Sequence, residues 1–114
     1  MAELWLRQKG WTILDRRFRS GHRDIDLIAA RPADPVRVVA FIEVKARRSA
    51  GFGGPVAAVN WRKQRELCRS AWVWADRFGR VRDTYRFDVI GVLFDAARIR
   101  VQHVENAFFA PNRP

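Results

Sequence analysis

The chain contains one cysteine, Cys68, among 114 residues. An internal disulfide framework is therefore excluded, and a reducing, cytosolic setting fits. Histidine is nearly as scarce: His22 and His103 stand far apart, so no Cys/His set has zinc-ligand spacing. No apolar run approaches the roughly 20 residues needed to span a membrane. Met1 to Gly10 lacks the basic-then-apolar pattern of a secretory signal. No internal repeat, low-complexity stretch or composition break divides the chain, which leaves one domain over residues 1–114. That length buries roughly two-thirds of the unfolded surface, enough for a real core.

Lysine is also scarce, with three residues against nineteen arginines. Together they face 12 acidic residues, for a formal net charge of +10. Such an excess favours a polyanionic partner, and nucleic acid is the first candidate. The planar guanidinium fork pairs bidentately with phosphate. An arginine-rich coding bias is the plain alternative for a lysine-poor composition. Charge alone does not separate DNA from RNA.

Alternation of apolar residues predicts strands over Trp11–Phe18, Asp24–Ala30, Val36–Lys45, Tyr85–Phe94 and Ile99–Val104. A short helix over Ala2–Lys9 stops at Gly10. The turn Ser20-Gly21-His22 precedes the second strand, and the two prolines of residues 31–35 predict a connection after it. The unbroken apolar run in Val36–Lys45 predicts burial on both faces. A glycine-rich loop over Ser49–Pro55 reads either as a substrate flap or as a plain connector. A helix is expected over Val56–Phe78, with Asn60 as an N-cap within it. Its stripe of Leu67, Ala71, Trp74 and Phe78 turns polar at Lys63 and Gln64, as it would above a polar site. Phe108 and Phe109, in the tail after Asn106, are expected to pack back on the domain. The alternating strands and helices make the fold class α/β, with about five strands.

Two segments carry charge where a buried strand should not: Asp24-Ile25-Asp26-Leu27 and Phe41-Ile42-Glu43-Val44-Lys45. On a strand, alternate side chains share a face. Asp24 and Asp26 then point one way with Ile25 and Leu27 opposite, and Glu43 and Lys45 share a face opposite Ile42 and Val44. If the strands are neighbours, the carboxylates converge beside one ammonium. Magnesium takes oxygen ligands and needs only one or two protein carboxylates. Asp26 and Glu43 are the candidate ligands, with the Val44 carbonyl as a third and Asp24 as an outer one. Lys45, about 7 Å along the strand from Glu43, is placed to reach a water or a phosphate oxygen. Gln64 is a candidate to orient that water or Lys45. Arg62, Arg65 and Arg69 lie on the opposite helix face, where a solvated basic surface is the ordinary explanation. The alternative for the acidic cluster is a structural salt-bridge network, because an unpaired buried charge costs several kcal/mol.

Asp26 followed by Glu43-Val44-Lys45 resembles the PD-(D/E)XK pattern of restriction-enzyme-like nucleases. Over nearly its whole length the chain resembles the YraN-like family of small bacterial predicted endonucleases, distantly similar to archaeal-type Holliday-junction resolvases. The matching segments are Asp24–Ala29, Phe41–Arg47, Phe52-Gly53, Lys63-Gln64, Arg86–Val89 and Asn106–Phe108. The resemblance implies a mixed, restriction-endonuclease-like sheet flanked by helices, with Mg2+ or Mn2+ at Asp26 and Glu43. Two positions depart from the family. It usually has Glu at the position of Asp24, and a helical Glu three residues before the position of Ala2. Glu3, one turn later on the same face, is the expected partial substitute.

The expected function is metal-dependent hydrolysis of DNA, branched DNA included by analogy. Its basic contacts would come from Arg47, Arg48, Arg62, Lys63, Arg65 and Arg69. Symmetrical cutting of paired strands would require a homodimer. A non-catalytic nucleic-acid-binding protein of the same fold is the alternative, and a structural or adaptor role is the third.

Overall fold

The computed structural model describes residues 1–21, 23–33, 36–48 and 59–108. Over these the chain forms α1 (Ala2–Gln8), β1 (Thr12–Phe18), β2 (Ile25–Ala33) and β3 (Val36–Arg47), followed by α2 (Trp61–Phe78), β4 (Thr84–Phe94) and β5 (Ile99–Phe108). The strands make one sheet in the order β1-β2-β3-β4-β5. Neighbours are antiparallel except β3 and β4, which run parallel from Val38↔Thr84 to Arg47↔Leu93. A parallel pair cannot be joined by a tight hairpin and needs a crossover. The crossover contains α2, and the fold is α/β with a mixed five-stranded sheet.

The apolar run of β3 occupies the centre of that sheet, with Val39, Ala40, Phe41 and Ile42 all buried. Strand alternation divides them between two cores. Val39 and Phe41 pack with Leu67, Ala71 and Trp74 of α2. Ala40 and Ile42 pack with Ala2 and Leu6 of α1. Each helix thus covers one face, and each large apolar side chain buried there contributes about 1.5–3 kcal/mol. Phe41 anchors the α2 side, with ring centroids 5.8 Å from Trp74 and 5.3 Å from Phe87.

Several boundaries differ from the sequence reading. β2 does not end at Ala30; it continues as Arg31↔Val38, Pro32↔Arg37 and Ala33↔Val36. Pairing with β1 begins only at Thr12↔Ala30, so Pro32 has a strand on one side alone. A proline lacks an N–H to donate and is tolerated at such an edge. β5 runs to Phe108 instead of stopping at Val104, because Phe108 pairs with Phe87 and stacks on its ring at 5.0 Å. Asn60 does cap α2: its side chain accepts the Lys63 N–H at 2.9 Å. Gly10, with φ +90°, follows α1 as expected of a stop signal. The glycine-rich loop, His22, the helix expectation over 56–58, and Phe109 lie outside the described residues.

Candidate metal centre

Asp26 sits where the sheet comes apart. β2 pairs with β3 up to Leu27↔Ile42 and no further, while it stays on β1 through Ile25↔Phe18. Arg17, on β1 beside this point, has a left-handed φ of 49°. Regular alternation fails here. Ile25 joins the α2-side core and Leu27 the α1-side core. The expectation that these two share a face is corrected by this local twist. Beyond the last ladder pair, the Asp26 carboxylate takes over as acceptor, receiving the Val44 N–H on Oδ2 at 2.8 Å.

Glu43 and Lys45 share a face as expected, with Glu43 Oε1 and Lys45 Nζ 3.2 Å apart and their side chains 13% and 22% exposed. Ile42 and Val44 face the α1-side core. Burial pushes the Glu43 carboxyl above its usual pKa, and the Asp26 charge adds to the effect. Lys45 and Arg23 pull in the other direction without reversing it. The Asp26 charge is thus felt at Glu43. Asp26 is engaged on Oδ2 by the Val44 N–H and Glu43 on Oε1 by Lys45. Two hard oxygen donors repelling each other suit Mg2+ or Mn2+, which need few protein carboxylates. Among the described residues no group of three or more His, Cys, Asp or Glu gathers, so the protein donors here amount to a pair.

Asp26 and Val44 also line a cleft of about 550 Å³ on the α1 side, together with Glu3, Arg16 and Arg17. Glu3 thus stands in the same cleft as Asp26. Its carboxylate is held by Arg16 Nε and NH2 at 2.8 and 2.7 Å. That hydrogen bond, opposed by some burial, lowers the Glu3 pKa.

The other candidates are placed elsewhere. Asp24 pairs with Arg19 Nε at 3.1 Å. Gln64 donates its amide N–H to the Val59 carbonyl at 3.0 Å, tying down the approach to α2. Arg47 and Arg48 are exposed just beyond Lys45, and Arg62, Arg65 and Arg69 are exposed along α2, with Lys63 half-buried. The Arg65 guanidinium lies 4.7 Å from the centre of the Trp61 ring, which is itself exposed.

Two clusters escaped the sequence reading. Ser70, fully buried, donates its hydroxyl to the Arg23 carbonyl at 2.7 Å. It accepts the Arg23 N–H at 3.2 Å and the Ser20 hydroxyl at 2.8 Å. Arg23 in turn reaches Glu66 with Nε at 2.8 Å. Helix α2 thereby fixes the segment that leads into Asp26. The second cluster centres on Asp88, which accepts from Arg86 at 3.0 Å and from the Asn106 N–H at 3.1 Å, and contacts His103 Nε2 at 2.7 Å. It sits at the register shift between Phe87 and Val89 and pins the edge strand there. The signal for both was a polar residue at a core position of an apolar element.

The sequence matches the model of the uncharacterised protein family UPF0102 over residues 1–92, a span that holds Asp26, Glu43, Lys45 and all of α2. The chain belongs to this family. A UPF0102 protein of Bifidobacterium longum subsp. infantis is 38% identical over 109 residues, covering 94% of this chain and 86% of its own. One from Pelobacter propionicus is 38% identical over 109 residues, covering 95% and 76%. One from Anaeromyxobacter dehalogenans is 36% identical over 114 residues, covering 100% and 82%. Among the described residues of this UPF0102 protein, no helix is long and apolar enough to cross a membrane.

Proposed function

We propose that this UPF0102 protein is a metal-dependent endonuclease acting on DNA, branched DNA included. The observation that carries the reading is the Asp26–Glu43 carboxylate pair beside Lys45, at the point where β2 leaves β3. Asp26 and Glu43 would hold Mg2+ or Mn2+, with the Val44 carbonyl as a further oxygen donor. When bound, such an ion acidifies a water and neutralises charge on the scissile phosphate.

The chain's own groups supply the rest. Lys45 is poised beside Glu43 to donate a hydrogen bond to a phosphate oxygen or to the attacking water. The Asp26 carboxylate is oriented by the Val44 N–H, which it accepts on Oδ2. Burial and the Asp26 charge raise the Glu43 pKa, and Lys45 beside it opposes that rise. Arg47 and Arg48 continue the same strand end with donors for the flanking backbone. Cutting of paired strands would further require a two-fold dimer of this chain.

The test is cleavage of labelled linear, nicked, single-stranded and four-way-junction DNA with magnesium, manganese or EDTA. Wild type and Glu43→Gln are run side by side. Metal-dependent cutting by wild type alone supports the reading and ranks the substrates. Salt-sensitive binding with no cutting favours the second reading, a nucleic-acid-binding protein of this fold. The engagement of Glu3 by Arg16, which ties up a further carboxylate of the Asp26 cleft, speaks for that alternative.

A further inference from the structure

We infer that a second site, at the far end of the sheet from Asp26 and Glu43, binds a nucleotide by its phosphates and its base. The site is a cleft of about 630 Å³ beside the start of β3. Arg37 and Glu43 lie six residues apart on that strand, about 20 Å at its usual rise. Arg31, Arg37, Arg80 and Arg82 supply the cationic side of the cleft, and Leu14 and Val36 the apolar side.

Four guanidinium groups meet one carboxylate there, and that carboxylate is already engaged. Asp83 accepts Arg37 Nε and NH2 at 2.9 and 2.7 Å and the Arg80 N–H at 2.8 Å. Its side chain is 1% exposed, so its charge is sealed beneath Arg37. Arg31 is also held, with its guanidinium 4.7 Å from the centre of the Trp11 ring. Arg80 and Arg82 are exposed and have no ion-pair partner among the described residues. The result is two anchored and two available forks around one opening. A guanidinium fork matches phosphate oxygens in pairs.

The apolar side decides the class of ligand. Leu14 remains partly exposed at the cleft mouth. An inorganic anion would leave that wall unused, whereas a nucleotide places its base against it. The volume falls within the roughly 300–1,000 Å³ of small-ligand sites. A free nucleotide and the terminal nucleotide of a nucleic-acid strand share this chemistry. The inference does not depend on the nuclease reading, because none of these residues belongs to the Asp26–Glu43 site.

The experiment measures binding of ADP, adenosine, pyrophosphate and a 5′-phosphorylated oligonucleotide to the full chain by calorimetry, at about 150 mM salt to screen diffuse attraction. The test variant is Arg80→Glu/Arg82→Glu. Its charge-matched control is Arg98→Glu/Arg100→Glu around the start of β5, both exposed and neither lining the cleft. Saturable ADP binding is expected, tighter than either adenosine or pyrophosphate. It should weaken at least about tenfold in the test variant, since two charge-assisted contacts are reversed. The control should keep it. Tighter binding of the oligonucleotide than of ADP assigns the nucleotide to a strand end, and the reverse order to solution. Both orders support the site. Absent ADP binding, equal loss in both charge reversals, or pyrophosphate matching ADP would overturn it. Both arginines are exposed, so the test variant should fold. Should it not, Arg82→Gln carries the same expectation with a smaller loss.

Discussion

Ser70→Ala removes one oxygen atom and should weaken the whole approach to Asp26. The hydroxyl is fully buried and serves three groups: the Arg23 N–H, the Arg23 carbonyl and the Ser20 hydroxyl. Ser20 is half-buried and can turn to water. The two backbone groups of Arg23 are held against α2 and lose their partner. Each orphaned buried group costs about 1–3 kcal/mol. With some relaxation, the expected loss is about 2–4 kcal/mol, a large share of the roughly 5–15 kcal/mol that keeps a domain folded. For a chain of this length the unfolding entropy is about 0.24 kcal/mol/K, so the melting temperature should fall by about 8–17 °C. Urea and thermal melts followed by circular dichroism measure it, with Ser20→Ala as the control that removes only the outer hydroxyl. A Ser70→Ala loss under about 1 kcal/mol, or one equal to the Ser20→Ala loss, would refute the reasoning. It would mean that water replaces the hydroxyl and that α2 does not fix the entry to β2.

Glu43→Gln should stabilise the metal-free protein at neutral pH relative to its value in acid. The folded pKa of Glu43 lies above the ordinary 4.5, so the wild type loses stability as pH rises from 4.5 through that raised value, and the variant does not. Urea titrations across that window check it, and parallel pH profiles would show that the carboxylate is not strained. Adding magnesium at about ten times its dissociation constant should raise wild-type stability by about 1.4 kcal/mol and leave Glu43→Gln unmoved. Asp83→Ala should cost about 2–4 kcal/mol, because Arg37 is only 17% exposed and would lose its bidentate partner. Burial raises the Asp83 pKa, but hydrogen bonds from Arg37 and the Arg80 N–H and their charges bring it below 3.8. This contribution is therefore full above pH 3.8 and disappears only as pH falls through the lowered value. Gly79→Ala should cost about 1–3 kcal/mol in a thermal melt, since a Cβ there would collide with the Tyr85 hydroxyl and the Ala75 carbonyl.

Local patterning made much of this molecule legible. The apolar run through Val39–Ile42 announced a strand buried on both faces, and it is the centre of the sheet. The charged positions Glu43 and Lys45 on that strand, and Asp26 on the other, stood out because their neighbours were apolar. Asn60 announced the start of α2 through its capping side chain. These features depend on side-chain period and on groups within one turn, which the sequence states directly.

The sequence by itself determined the strands, the helices, the basic surface and the nomination of Asp26, Glu43 and Lys45. The tertiary structure decided which charges meet. It turned Asp24 to Arg19 and Glu3 to Arg16. It split Ile25 from Leu27 at the departure of β2 from β3, and carried β2 past Pro32 because β1 had ended. It set Ser70 of α2 against Arg23, 47 positions earlier. The physical reason is range. Alternation follows from the backbone of a single segment, whereas register, splay and partner choice follow from which distant segments pack together, and only the folded chain fixes those.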